Sequence, residues 1–342
     1  MSSTDALSID TLKRQDDETT SVIINMLRDD PSFHQLSILE GNSLMERDIL
    51  DRDKLCDGIA YAVKKGILSP RQNLNEPQKI VIMGKTSDDI CEEIIHKVSV
   101  TRNGNGMGDV ITLEGLSGTG KGTTVRKLAE KLPNTITWSN GNIFRCLTFC
   151  LLRDSIESTS EPTMERIQNA QIDVDSLNPS IIEKCMQQLE FIFQPEHRDS
   201  HLLSDIRILP SHPSMNQILY VSEIQNTLLK YPNVSKHVPL VAERSQGEVI
   251  LFTQRILRKI TTERNWNVLI EGRRETLNYI ETPHRFELVI SADPPHCPNI
   301  LLILGQRRAA QRVVGEILQK SHSFQYRITK HDILNLMRKF FN

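Results

Sequence analysis

The stretch Gly115-Leu116-Ser117-Gly118-Thr119-Gly120-Lys121-Gly122-Thr123 constrains this chain more than any other. A strand-like run, Asp109 to Glu114, precedes it, and a helix-like run, Thr124 to Leu132, follows. A G-x-x-x-x-G-K pattern in that context is a phosphate-binding loop, whereas a glycine-rich connection without a ligand requires no such pattern. The glycines let the backbone turn tightly, so consecutive N–H groups reach phosphate oxygens, and the following helix adds its positive end. Lys121 supplies a mobile positive charge and the Thr123 hydroxyl a ligand for magnesium. The cofactor-binding set is therefore Gly115, Leu116, Ser117, Gly118, Thr119, Gly120, Lys121, Gly122, Thr123 and Thr124. These residues predict a nucleoside triphosphate site.

Two other segments carry matching signals. Ser139-Asn140-Gly141-Asn142-Ile143-Phe144-Arg145 follows the loop helix and a short strand-like run. Val268-Leu269-Ile270-Glu271-Gly272-Arg273-Arg274 is an apolar strand ending in a carboxylate and two arginines. The loop itself has a glycine between Lys121 and Thr123, a variant that nucleoside monophosphate kinases show.

Through these residues the chain resembles the cytidylate kinases over about residues 109–342. In that family the second segment reads Asp-Ser-Gly-x-x-Tyr-Arg and the third ends in acidic-Gly-Arg-Asp. Gly141, Arg145, Glu271, Gly272 and Arg273 match, while Ser139, Asn140 and Arg274 depart from the pattern. The resemblance implies a P-loop kinase-like parallel α/β sheet with an acceptor-binding insertion. It implies ATP and Mg²⁺ as cofactors, and CMP or dCMP as the acceptor. Lys121 would act on the donor phosphates, Thr123 and Glu271 would hold the metal and its water shell, and Asn140, Gly141, Arg145 and Arg273 would bind the acceptor. Arg145 and Arg273 suit the acceptor phosphate because a guanidinium is a planar fork of donors.

A mobile lid is implied near Arg307-Arg308, with His331, Asp332, Asn335 and Arg338 further on; Arg338 is the candidate lid arginine. The family then continues with one more strand and helix, and no such pair follows Arg338 in this sequence. An open sheet edge and a partly uncovered donor base are expected unless another segment covers the gap, for which the strand at Ile80–Met83 is the candidate within the chain. So is micromolar-to-millimolar ATP binding with little preference over GTP. Two other readings remain open at this level: a degenerate, regulatory nucleotide-binding module, and a kinase with another small-molecule acceptor.

Bulk properties fit small-molecule chemistry. The net charge of -2 argues against a protein built to coat nucleic acid. Charge is uneven: residues 1–56 hold twelve acidic and six basic side chains, and residues 254–342 hold eight and fifteen. The basic C-terminal part suits polyanionic small ligands. No apolar run is long enough to span a bilayer, and the N-terminus resembles neither a secretory signal nor a transit peptide. Six scattered cysteines without a C-x-x-C pair indicate a reducing compartment, expected to be cytoplasmic. Cys146 and Cys150 are expected as small buried residues.

Residues 1–105 are expected to form a separate N-terminal extension, a small α/β module joined by the glycine-rich segment 101–108. Helices are expected over 21–27, 54–68 and 88–98, with a strand over 78–83. On this view a chain starting near Gly106 folds and binds ATP alone. Gly84-Lys85-Thr86 is a plain strand-to-helix turn, since Lys79 stands where a second phosphate loop needs glycine. Beyond Asp109, strands are expected at 109–114, 134–138, 266–271 and 286–291, with a paired insertion at 189–193 and 204–209. His197 and His201 belong to a solvated loop rather than a metal site.

Overall fold

A computed structural model describes residues 6–13, 17–70, 75–101, 107–156, 164–173, 175–193, 203–211, 218–291, 300–319 and 327–337. Its strands are β1 (Ala6–Ser8), β2 (Gln78–Val81), β3 (Val110–Gly115), β4 (Thr135–Trp138), β5 (Leu189–Phe193), β6 (Ser204–Ile208), β7 (Leu219–Tyr220), β8 (Asn267–Glu271), β9 (His284–Val289) and β10 (Arg327–Thr329). Its helices begin with α1 (Ile9–Lys13), α2 (Asp17–Leu27), α3 (Pro31–Lys64), α4 (Ser87–Thr101) and α5 (Lys121–Lys131). They continue with α6 (Asn140–Asp154), α7 (Met164–Asn169), α8 (Pro179–Met186), α9 (Val221–Ile224), α10 (Pro232–Glu263), α11 (Arg274–Leu277), α12 (Ile300–Gln319) and α13 (Lys330–Met337).

Five parallel strands in the order β2-β9-β3-β8-β4 form the central sheet. Val268, Leu269 and Ile270 of β8 are all buried, as a parallel strand covered on both faces requires. On one face Ile94, Val125 and Leu128 of α4 and α5 pack against Ile111, Leu113 and Phe286. On the other, α6, α8 and α10 build the largest core around Trp138, Ile143, Leu147 and Val249. Cys146 and Cys150 are buried there, as expected. The expected insertion is an antiparallel sheet in the order β5-β6-β7.

The N-terminal region departs from the expected detached module. Gln78–Val81 pairs in parallel with Phe286–Val289, so β2 is an edge strand of the central sheet, and α4 packs on α5. The gap left after Arg338 is met by the candidate segment, since this strand, supplied from ahead of the phosphate loop, lies at the sheet edge beside β9. The expectation of weak, unselective ATP binding rested on that missing strand and loses its premise.

Upstream, the two expected short helices are α2 and one long α3. Asp30 caps α3 by accepting from the Ser32 and Phe33 N–H groups, with Pro31 in the first turn. Gly66, at φ 71°, follows its C-cap in the left-handed conformation that glycine adopts without strain. The contact of α3 with α12 is backbone-close: a Cβ on Gly305 would stand 1.8 Å from the Ser37 carbonyl oxygen. Thr86 and Asp89 form a capping box at the start of α4, confirming Gly84-Lys85-Thr86 as a plain turn.

Candidate active site

The phosphate loop leaves the carboxyl end of β3, the central strand, and enters α5 at Lys121. Gly115, Gly118 and Gly120 have φ of 143°, 87° and 86°, which only glycine adopts readily. Gly118 also abuts α12, where a Cβ would meet the Leu304 carbonyl oxygen at 2.5 Å. Lys121 Nζ donates to the carbonyls of Gly115 and Leu116 at 2.7 and 2.9 Å, keeping one of its three donors for a ligand. Burial first, and then the Arg273 charge, pull the Lys121 ammonium below its ordinary pKa, against the opposing Glu271 and Asp48 carboxylates.

Two cavities meet at this loop. One, about 430 Å³, is lined by Gly118 to Thr123 except Thr119, with Glu271, Arg47 and Leu44 of α3, and Arg307 and Arg308 of α12. The other, about 540 Å³, is lined by Ser139, Asn140, Gly141, Phe144 and Arg273, with Gln246 of α10 and Asp51 and Lys54 of α3. Ser117, Lys121 and Glu271 line both. A further cavity of about 550 Å³ between α8 and α10 contains no loop residue and lies away from this chemistry.

Most of the expected residues therefore converge. Asn140 is held by Trp138 Nε1 and Thr253 Oγ1, each 2.8 Å from its Oδ1, at the first residue of α6. Thr123 and the Glu271 carboxylate border the loop cavity together. Hard oxygen donors of that kind suit Mg²⁺, which keeps most of its water and takes phosphate oxygens as further ligands.

Some residues do not fall where the sequence placed them. Arg145 is on α6 but donates to the Leu229 carbonyl at 3.1 Å and to Ser235 Oγ at 3.4 Å, and it lines neither cavity. Thr124 is buried with its hydroxyl on the Gly120 carbonyl, serving the helix turn rather than the cavity. Arg338, His197 and His201 lie outside the described residues.

Sequence reasoning found only the C-terminal part of α3 and missed its place in the site. Asp48 accepts from the Ser117 N–H at 2.7 Å through Oδ2 and from Ser117 Oγ at 2.5 Å through Oδ1, and Arg273 Nη2 lies 2.7 Å from that same Oδ1. Burial alone would raise the Asp48 pKa, but Arg273 and the Ser117 donors outweigh it and hold it at about 2. Glu40, about two helical turns earlier in α3, pairs with Arg308 at 2.8 Å and Arg312 at 2.7 Å, clamping α12 over the loop. The dense alternation of charge from Glu46 to Lys54 was the available signal.

A parallel sheet with its phosphate loop at the carboxyl end of the central strand, and two cavities meeting there, defines a P-loop kinase-like α/β protein. The model of the cytidylate kinase family matches residues 111–276, which run from β3 through α11. The family resemblance is thus shown over that segment. A search of curated proteins found no match. No helix among the described residues is long and apolar enough to cross a membrane.

Proposed function

We propose that this protein transfers the γ-phosphate of ATP to CMP or dCMP, with magnesium. The observation that carries the reading is the pair of cavities that share Ser117, Lys121 and Glu271. Phosphoryl transfer needs two phosphates held in line, neutralised charge and little water, rather than covalent help from the protein. The loop side would hold ATP, with its backbone N–H groups and Lys121 on the phosphates. The other side would hold the acceptor, with Arg273 on its phosphate and Asn140 and Gly141 at its sugar or base. Thr123 and Glu271 would hold the magnesium ion, which offsets phosphate charge when bound. The basic side chains Arg47 and Arg308 rim the donor cavity, where charge spreads during transfer. The family match over residues 111–276 supports the reaction class.

The test is a coupled assay for ADP release across a panel of nucleoside monophosphates and non-nucleotide phosphates. CMP and dCMP are expected to give the highest kcat/KM, and Lys121→Ala is expected to lower turnover by roughly 100- to 1,000-fold. No ADP release with any acceptor, or full turnover by Lys121→Ala, overturns the reading.

A further inference from the structure

We propose that Asp48 is a positioning residue that couples the donor and acceptor subsites, making α3 a working part of the site. The inference rests on the kinase reading above for what each subsite binds.

Asp48 is 6% exposed at its side chain and joins two groups from different parts of the chain. One carboxylate oxygen takes the backbone N–H of Ser117, the other takes the Ser117 hydroxyl and the Arg273 guanidinium. Ser117 belongs to the donor loop, and Arg273 lines the acceptor cavity. The position of the arginine that faces the acceptor is therefore tied to the conformation of the loop that faces ATP.

The carboxylate does not exhaust the arginine. Both Asp48 Oδ1, at 2.7 Å, and Asp51 Oδ2, at 3.3 Å, are reached through Nη2 alone. A guanidinium has five N–H donors, so one on Nε and two on Nη1 remain, as single donors rather than a fork, for a phosphate. Asp48 thus orients Arg273 rather than competing for it. When ATP orders the loop, Ser117 fixes Asp48, Asp48 fixes Arg273, and less orientational freedom is left for the acceptor to remove. Linkage makes the effect reciprocal: the acceptor tightens ATP binding by the same factor.

Calorimetric titration of CMP, with and without magnesium and a non-hydrolysable ATP analogue, tests this. In the wild type the analogue should lower the CMP Kd at least fivefold. In Asp48→Ala that factor should fall to about one, while Asp51→Ala, which has no contact with Ser117, should keep most of it. Should Asp48→Ala lose its cooperative melting transition, Ser117→Ala, which removes only the hydroxyl contact, carries the same test. Equal CMP affinity with and without the analogue in the wild type overturns the proposal. So does tighter CMP binding by Asp48→Ala, which would make the carboxylate a competitor. If the analogue binds but CMP does not, the acceptor assignment fails by itself. The coupling is then read from hydrogen exchange, where the analogue should slow the amides of residues 273–277 in the wild type but not in Asp48→Ala. Absence of that difference overturns the proposal.

Discussion

Arg274 Nε lies 2.7 Å from Glu114 Oε1, which turns this arginine toward the β2–β9 side of the sheet and away from the acceptor cavity. Its Nη2 also meets Glu76 at 3.1 Å and Glu287 at 3.5 Å. Arg274 replaces the aspartate that the family resemblance places here, and its side chain ties the end of β3 to its neighbours. Burial pushes the Glu114 carboxyl above its usual range, opposed by Arg274 and by Arg285 at 3.7 Å.

Arg274→Ala should therefore act on stability more than on turnover. Removing it leaves a buried carboxylate with only the longer Arg285 contact. Because Arg274 is itself 42% exposed, the full cost of a broken buried pair is not reached. About 1–3 kcal/mol is expected in urea denaturation. The acceptor KM should stay within a few-fold of the wild type, and a large KM rise would place Arg274 in the acceptor site.

Alkaline pH should report on Lys121. Its pKa is lowered in the free protein, so kcat/KM for ATP should begin to fall at a lower pH than an ordinary lysine would impose. Lys121→Arg should shift that descending limb upward even if its maximum is lower, because a guanidinium does not deprotonate in this range. An unshifted limb in Lys121→Arg would assign it to another group.

Acid should release α3 from the loop. The Asp48 pKa is depressed to about 2, so its contribution is fully present above the ordinary carboxylate range and is lost as pH falls through about 2. A depression of that size corresponds to about 2 kcal/mol at neutral pH. The stability gap between the wild type and Asp48→Asn should accordingly narrow from pH 5 to pH 2. A gap that stays constant would show that the charge of Asp48 contributes nothing.

Deleting residues 1–105 should destroy the fold rather than liberate a kinase. The deletion removes the edge strand β2 and its helix α4, along with the whole of α3. Ile80, Ile94 and Val98 leave the core beneath the sheet, and Phe33 and Leu36 leave the cluster that holds α12. Burial of each such side chain is worth about 1.5–3 kcal/mol, so these five alone amount to about as much as the whole stability of an ordinary domain. A soluble, cooperatively melting fragment that binds ATP would restore the detached-module view.

The legible part of this protein was the part with local signals. The loop, β3 and β8 were readable because glycine spacing and continuous apolar runs are short-range features of Gly115–Lys121 and Val268–Ile270. The edge position of β2 was not, because nothing in Gln78–Val81 names Phe286–Val289 as its neighbour. Asp48 was hidden for a related reason. An aspartate within a charged helical run reads as solvated, and only the fold brings it to Ser117 and Arg273. Arg145 differs in the opposite direction: it matches a motif, yet its Nη1 turns to Leu229 and Ser235 and it lines neither cavity.

The place of β2 also has a consequence for how the chain is made. A strand that emerges ahead of the loop has β9 as its only sheet neighbour among the described residues, and β9 is among the later segments to leave a ribosome. Until then Ile80 and the apolar face of α4 have α5 to pack on, but β2 itself has an unpaired backbone. The first half of the sheet can assemble around β3 while its outermost strand waits. A long loop must close before that last pairing forms, which slows folding and leaves an adhesive edge open during synthesis. Lys79, exposed at the centre of β2, puts a charge on that waiting edge, the common natural guard against pairing with the wrong chain.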